Sequence, residues 1–182
     1  MTVTQNSLSG TTKILHILVA LGMIGLLAVG LYMSEYEVFF LYDIHKSVGA
    51  IMFVLALTRV LWRVKKGWPS AVGVASKIQH MIAKAVHWIL IFSTVLFPLS
   101  GLMMSIGGGH GLAIFGLEIV SETLDAAGET VALNGAIGGL GHEIHETIVY
   151  FVIAAIVLHV AGALKHHFVD KDETITRMFT FK

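Results

Sequence analysis

Four apolar stretches, each about 20 residues long, dominate the pattern along the chain, and each is long enough to cross a hydrocarbon core of roughly 30 Å as a helix. They run over about residues 14–33, 45–64, 86–105 and 146–164. Pro98 and Gly101 interrupt the third, which a membrane helix tolerates when its neighbours cover the freed backbone groups. The segments between the stretches are polar. A short acidic connection covers 35–43, and a short basic one covers 65–79 with a turn at Pro69. A long, glycine-rich, acidic loop covers 106–141, and 118–127 within it is expected to form an interfacial helix. The tail 165–182 is polar and mixed in charge. The pattern predicts an all-α, four-transmembrane-helix bundle forming a single membrane domain over residues 1–182.

Composition sharpens this picture. Of 182 residues, 55% are hydrophobic and only 13% charged, where a soluble domain is usually about a quarter charged. The mean hydropathy is +0.80. Residues 1–12 are polar and uncharged. A signal peptide starts basic and has a shorter apolar core, so the first stretch is read as a retained helix. The chain contains no cysteine, which excludes disulfides, thiolate metal sites, iron–sulfur clusters and haem attached through C-x-x-C-H.

The formal net charge is zero, but the signs are segregated. Lys13 precedes the first helix. Arg63, Lys65, Lys66, Lys77 and Lys84 gather around the second connection, and Lys165, Lys171, Arg177 and Lys182 follow the fourth helix. The first and third connections, with the helix ends beside them, carry acids and a single basic residue, Lys46. Basic loops stay in the cytoplasm. Both termini and the middle loop are therefore expected inside a bacterial inner membrane, with the acidic loops outside. Lipid is the surrounding partner, and no nucleic-acid partner is expected.

The candidate chemistry lies in the histidines, of which there are ten. Histidine inside a membrane helix is costly and demands a partner. His16 lies near the inner end of the first helix and His45 near the outer end of the second. His145 is at the outer end of the fourth helix, and His159 follows 14 residues later, about 21 Å deeper. Fourteen steps of about 100° return to within roughly 40° of the starting direction, so both project from one side. His45 and His145 therefore match in depth at the outer level, and His16 and His159 at the inner level. Two levels of paired imidazoles fit two metals held on opposite axial faces, as in two porphyrins. This arrangement favours haem over a proton or metal-ion pathway and over polar packing, and both alternatives stay open on spacing alone.

Other residues add detail. Arg59 follows His45 by 14 residues, so it shares that face one level deeper. It is a candidate partner for carboxylates of an inner haem or a residue snorkelling to the surface. Lys46 is a candidate for the outer carboxylates or an ordinary interfacial lysine. Gly49 and Gly162 leave room for a flat group or allow close helix packing. His87 opens the third helix at the inner level, where it competes with His16 as a ligand or bonds nearby polar groups. His166 keeps to the face of His159 and is a candidate hydrogen-bond and proton partner for a quinone, or a solvated tail residue. His80 is expected at a loop surface. The glycine run 107–109 lacks the strand–turn–helix setting of a nucleotide loop, and His142-Glu143-Ile144-His145-Glu146 is one residue short of the zinc-protease spacing.

The residues carrying these positions resemble the bacterial cytochrome b561 family, which is itself similar to the cytochrome b subunits of nickel hydrogenases and formate dehydrogenases. The matching pieces are I-L-H ending at His16, D-I-H-K-S-V-G around His45 and T-R-V-L-W-R from Thr58 to Arg63. To these add H-W-I-L from His87 followed by F-P-L-S-G-L-M-M, H-E-T from His145, and L-H at His159 followed by K-H-H to His167. The resemblance covers roughly residues 13–179. It implies two non-covalent b haems on the four paired histidines and electron exchange with a membrane quinone such as ubiquinone. Some members are similar to superoxide oxidases, which pass electrons from superoxide to ubiquinone. Here the outer loops lack arginine, and steering an anion such as superoxide needs a positive field.

Three functions follow as expectations. The first is a quinone-reducing oxidoreductase fed by an outer donor, with superoxide as one candidate. The second is an electron-relay and anchor subunit for a separate periplasmic dehydrogenase or redox protein. The third is a haem-free ion or metal transporter.

Overall fold

The computed structural model describes residues 8–69, 72 and 76–180. The start of the polar N-terminal segment, part of the basic connection and Lys182 lie outside the described residues. Four long helices carry the fold: α1 (Gly10–Glu35), α2 (Phe40–Lys66), α3 (Lys77–Gly107) and α4 (Gly135–Lys165). All four are long and apolar enough to span a membrane. Between α3 and α4 lie two short strands, β1 (Leu112–Ile114) and β2 (Leu117–Val120). After α4 come a π-helical turn (His166–Asp170) and a short α5 (Thr176–Phe179).

Each long helix extends past its apolar stretch, and the expected loop 106–141 shrinks to 108–134. Hydropathy marks only the portion that sits in hydrocarbon, whereas polar caps decide where the backbone stops coiling. Ser9 accepts from the Thr12 N–H at 3.3 Å. Ser76 and Gln79 form a reciprocal capping box. Asn134 accepts from the Ile137 N–H at 3.1 Å. Such caps satisfy amide groups that the first turn leaves unpaired. At the other end of α2, Arg63, Lys65 and Lys66 sit where the helix dipole favours cations. His80, expected in a loop, is an exposed residue in the first turns of α3.

The core is a narrow apolar seam to which each of the four long helices contributes: Val19, Met23 and Leu27 from α1, Met52 from α2, Phe97 from α3 and Val152 from α4. Large apolar side chains such as Leu21, Phe92 and Phe151 face outward, as expected where lipid replaces water as solvent. The closest helix pair is α3 against α4. A methyl group at Gly141 would lie 2.5 Å from the Met104 amide nitrogen and 2.7 Å from the Ser100 carbonyl oxygen, and one at Gly138 would lie 2.7 Å from the Gly108 nitrogen. Small residues thus let the two backbones touch, a usual device between membrane helices.

The expected interfacial helix over 118–127 does not form. Residues 117–120 are instead a strand paired antiparallel with 112–114, Ile114 facing Leu117. The two turn residues, Phe115 and Gly116, both have positive φ (48° and 86°), the backbone that a tight hairpin requires. The β-branched residues of Leu117-Glu118-Ile119-Val120 favour the strand. Contacts from the bundle complete the choice. The Ser47 hydroxyl accepts from the Phe115 N–H at 3.0 Å and bonds the Ala113 carbonyl at 3.2 Å. The Ser105 hydroxyl donates to the Gly111 carbonyl at 2.6 Å. The hairpin is therefore strapped over the ends of α2 and α3, two residues from His45.

Candidate cofactor sites

Two pairs of histidines face each other across the bundle. The rings of His45 on α2 and His145 on α4 have centroids 6.3 Å apart and cross at 83°. Those of His16 on α1 and His159 on α4 are 6.2 Å apart and cross at 61°. With metal–nitrogen bonds of about 2.0 Å and about 1.1 Å from nitrogen to ring centre, two axial imidazoles place their centroids about 6.2 Å apart. Both pairs have the separation that a shared metal needs.

At the outer pair the surroundings can be traced residue by residue. The close approach of α3 and α4 at Gly141 brings His145, one turn further on, against α3. Its ring stacks on Phe97 with centroids 4.4 Å apart. A methyl group at Gly101 would lie 3.1 Å from its Cε1, so glycine there leaves the ring its place. His145 Nδ1 lies 3.0 Å from the Phe97 carbonyl oxygen and 3.0 Å from Ser100 Oγ. The carbonyl can only accept, so Nδ1 carries the proton and the lone pair is on Nε2. On the other side, Gly30 makes room for His45: a methyl group there would lie 3.2 Å from the ring. His45 Nδ1 is buried without a hydrogen-bond partner. Both rings line a largely apolar cavity of about 680 Å³, bounded among others by Met23, Gly49, Phe97, Gly101 and Met104. Ligand cavities of this kind are apolar with a few placed polar groups. Nothing lies within 4 Å of a methyl group built at Gly49 or Gly162, so neither glycine serves close helix packing. Gly49 opens onto the cavity instead.

The inner pair has two further polar neighbours. Arg59 Nη2 donates to His16 Nδ1 at 3.4 Å. His87 stands edge-on to His159 with centroids 5.2 Å apart, about 1 Å less than an axial pair requires. His87 therefore stands beside the inner pair, nearer to the His159 ring than His16 is. Nearby, Trp62 Nε1 and Arg63 Nη1 donate to Thr12 Oγ1 at 3.0 and 3.3 Å. These bonds tie α1 to α2 close to His16.

The remaining candidates scatter. Lys46 lines the outer cavity at its rim, and its ammonium lies 3.4 Å from the Asp43 carboxylate, which offsets its charge. A second hollow of about 430 Å³ under the hairpin shares Lys46, His110, Leu112 and Glu122 with the outer cavity. His142 Nδ1 lies 3.4 Å from Met104 Sδ, and its Nε2 lies 3.4 Å from Glu146.

His166 is held in the turn after α4, with Nδ1 2.6 Å from Asp172 and 3.2 Å from Asp170. These three residues bring ligating atoms within 4.8 Å of one another, but Lys165 already binds Asp170 at 2.6 Å. Burial pushes the Asp172 carboxyl up, yet hydrogen bonds from Thr174 and His166 outweigh it and hold the group below its ordinary value. The cluster anchors the C-terminal segment, which also meets α1 where Lys13 donates to the Thr180 carbonyl at 2.5 Å.

Three contributors carry no signal in single-chain reading. Ser100, Gly30 and His110 are common residue types whose importance comes from what faces them. In the sequence Pro98-Leu99-Ser100-Gly101 interrupts a helix and belongs to the F-P-L-S-G-L-M-M resemblance, and neither feature points Ser100 at His145.

A family model described as prokaryotic cytochrome b561 matches residues 7–181. The Escherichia coli (strain K12) protein named cytochrome b561 homolog 2 is 33% identical over 168 residues, covering 90% of this chain and 86% of that protein. Cytochrome b561 homolog 1 of the same organism is 30% identical over 139 residues, 75% of this chain and 73% of its own length. A Yersinia pestis protein named probable superoxide oxidase CybB is 30% identical over 142 residues, covering 76% and 74%.

Proposed function

The chain belongs to the prokaryotic cytochrome b561 family, a multi-pass membrane electron-transfer protein of b-haem type, and from that premise we propose that it carries two b haems and passes electrons from an outer donor to membrane quinone. His45 and His145 hold the outer haem, and His16 and His159 the inner one. The observation that carries this reading is the pair of centroid separations, 6.3 and 6.2 Å, each suited to one metal between two imidazoles. When bound, a haem supplies a one-electron couple that the protein tunes through ligands and access.

The chain's own residues do the rest. Phe97 and Ser100 set the tautomer of His145. The seam of Val19, Met23, Met52 and Val152 keeps water out between the two levels. A haem held through His16 Nε2 would leave the proton on Nδ1, and the Arg59 guanidinium beside it would then be available to a haem carboxylate. Lys46 stands at the outer rim for the same purpose. His166, held through Nδ1 by Asp172, has Nε2 left to bond a quinone, which is the role we infer for it. The basic connections support a cytoplasmic position for both termini in a bacterial inner membrane.

The donor is the open choice between two readings. The name of the Yersinia pestis relative favours superoxide. Against it, Asp43 pairs with Lys46, and Glu118 and Glu122 line the hollow beside the outer cavity, a field that repels an anion. That charge favours the second reading, an electron relay and anchor for a periplasmic redox protein.

A reduced-minus-oxidised visible spectrum of detergent-purified protein, with haem counted per chain, tests the core of the proposal. Two b-type haems are expected, and a colourless protein sinks the proposal and returns the histidines to an ion path or polar packing. His45→Ala and His145→Ala should each remove the same haem; removal of different haems breaks the pairing. Superoxide consumption with quinone by the isolated protein separates the two donor readings.

A further inference from the structure

We propose that Ser100 is a positioning residue for His145: together with the Phe97 carbonyl it keeps the imidazole proton on Nδ1, presents Nε2 to the outer site, and lowers the reduction potential of that site relative to the inner one. This inference rests on the haem reading above and concerns one ligand of the outer pair.

Ser100 is fully buried on α3. Its hydroxyl donates to the Phe97 carbonyl at 2.7 Å. That bond alone satisfies a serine in a membrane helix, which commonly donates to a carbonyl one turn back. Its contact with His145 Nδ1 at 3.0 Å is therefore additional. With its proton committed to Phe97, Ser100 Oγ has only lone pairs left to offer, and it accepts from His145 Nδ1–H. The Phe97 carbonyl accepts from the same N–H at 3.0 Å. Two acceptors thus share one proton and leave one tautomer.

The ring has little freedom to escape this setting. Phe97 stacks on it at 4.4 Å. Gly101 lies against its Cε1, and Gly141 fixes the spacing of the two helices. Neither His45 nor His16 has a comparable environment. The Nδ1 of His45 is buried without a partner, and the Nδ1 of His16 faces a donor, the Arg59 guanidinium.

The chemical consequence has a sign. An imidazole whose distal N–H is donated to a carbonyl or hydroxyl oxygen is a stronger electron donor to its metal. Stronger donation favours the oxidised, more positive iron and lowers the potential. At the inner level the Arg59 cation favours the reduced, less positive state. The two effects bias the outer site down and the inner site up, which favours electron movement inward.

The test uses the full-length purified protein with both haems bound. Its readouts are potentiometric titration followed by visible absorption and low-spin EPR of the oxidised protein. The component lost in His45→Ala marks the outer site. In Ser100→Ala the outer midpoint should rise and its EPR g-values should shift, while the inner component stays in place. Ser100→Thr, which keeps the hydroxyl, should return both signals to those of the parent.

Two bound haems with an unmoved outer midpoint in Ser100→Ala overturn the inference and leave the haem reading intact. Equal shifts in the Ala and Thr variants also overturn it, because the cause is then packing. Loss of the outer haem in Ser100→Ala supports it only if Ser100→Thr retains that haem, and loss in both overturns it. A parent protein without an outer haem defeats the haem reading itself, an outcome visible before any Ser100 variant is made.

Discussion

Replacing Gly141 by alanine should cost this protein its outer cofactor while sparing the inner one. The added methyl group would lie 2.5 Å from the Met104 amide nitrogen, 2.7 Å from the Ser100 carbonyl oxygen and 2.8 Å from Met103 Cβ. Two of these three atoms belong to the backbone of α3, so no side-chain rotation relieves the contact. Reaching an ordinary contact distance of about 3.4 Å requires α3 and α4 to separate by about 0.9 Å, and overpacking of this kind typically costs about 1–3 kcal/mol. If α4 tilts away from α3 around Gly141, the 3.0 Å bonds from His145 Nδ1 to Phe97 and Ser100 stretch towards about 3.9 Å, beyond hydrogen-bond range. His159 lies 18 residues further along α4, about 27 Å away, facing His16 of α1 with His87 of α3 beside it. The assay is haem per chain with a redox difference spectrum, alongside the thermal midpoint in detergent. The expected result is about one haem per chain and a lowered midpoint. Gly25→Ala, on the exposed side of α1 where a methyl group meets nothing within 4 Å, is the control and should keep both haems, with a helix-propensity gain of up to about 1 kcal/mol. Two haems and an unchanged midpoint in Gly141→Ala would refute the claim that this glycine sets the outer site.

Other expectations follow from the same geometry. His87→Phe should retain both haems, because a 5.2 Å centroid separation from His159 is too short for an axial pair; loss of the inner haem on pigment analysis would make His87 a ligand. Ser47→Ala removes the hydroxyl that holds Ala113 and Phe115 to α2 and should destabilise the hairpin by about 1–3 kcal/mol, seen as faster amide exchange over 112–120 while the helices keep their protection. The Asp172 carboxyl is pushed up by burial but held below its ordinary value by Thr174 and His166, so its anchoring is complete above the ordinary carboxylate range and is lost as pH falls through the lowered value. Pepsin sensitivity of residues 171–180 should rise across that fall, and Asp172→Asn should already be cut at the upper end of the range; equal cutting of both proteins at every pH would contradict the anchor.

The four spans were legible in the sequence because the requirement that sets them is local: about 20 apolar residues in a row cross the hydrocarbon, wherever their neighbours are. The common face of His145 and His159 was legible for a similar reason, since helical periodicity along one segment fixes it without any tertiary contact. The loop was read less well. The 118–127 segment carries strand-forming residues and a glycine turn, yet its acidic and apolar mixture also suits an interfacial helix, and the deciding contacts come from Ser47 and Ser105 on other elements.

Distances between helices belong to the tertiary structure alone, because they depend on how each helix is rotated and how closely backbones approach. Only that arrangement puts His87 beside the inner pair at 5.2 Å rather than opposite it at about 6.2 Å. It also turns Ser100, an ordinary serine in an apolar run, towards His145, sets Gly141 against the backbone of α3, and leaves little room for a methyl group at Gly30 and Gly101. A glycine's value lies in the atom it lacks, and which neighbour would meet that atom is known only once the helices are packed.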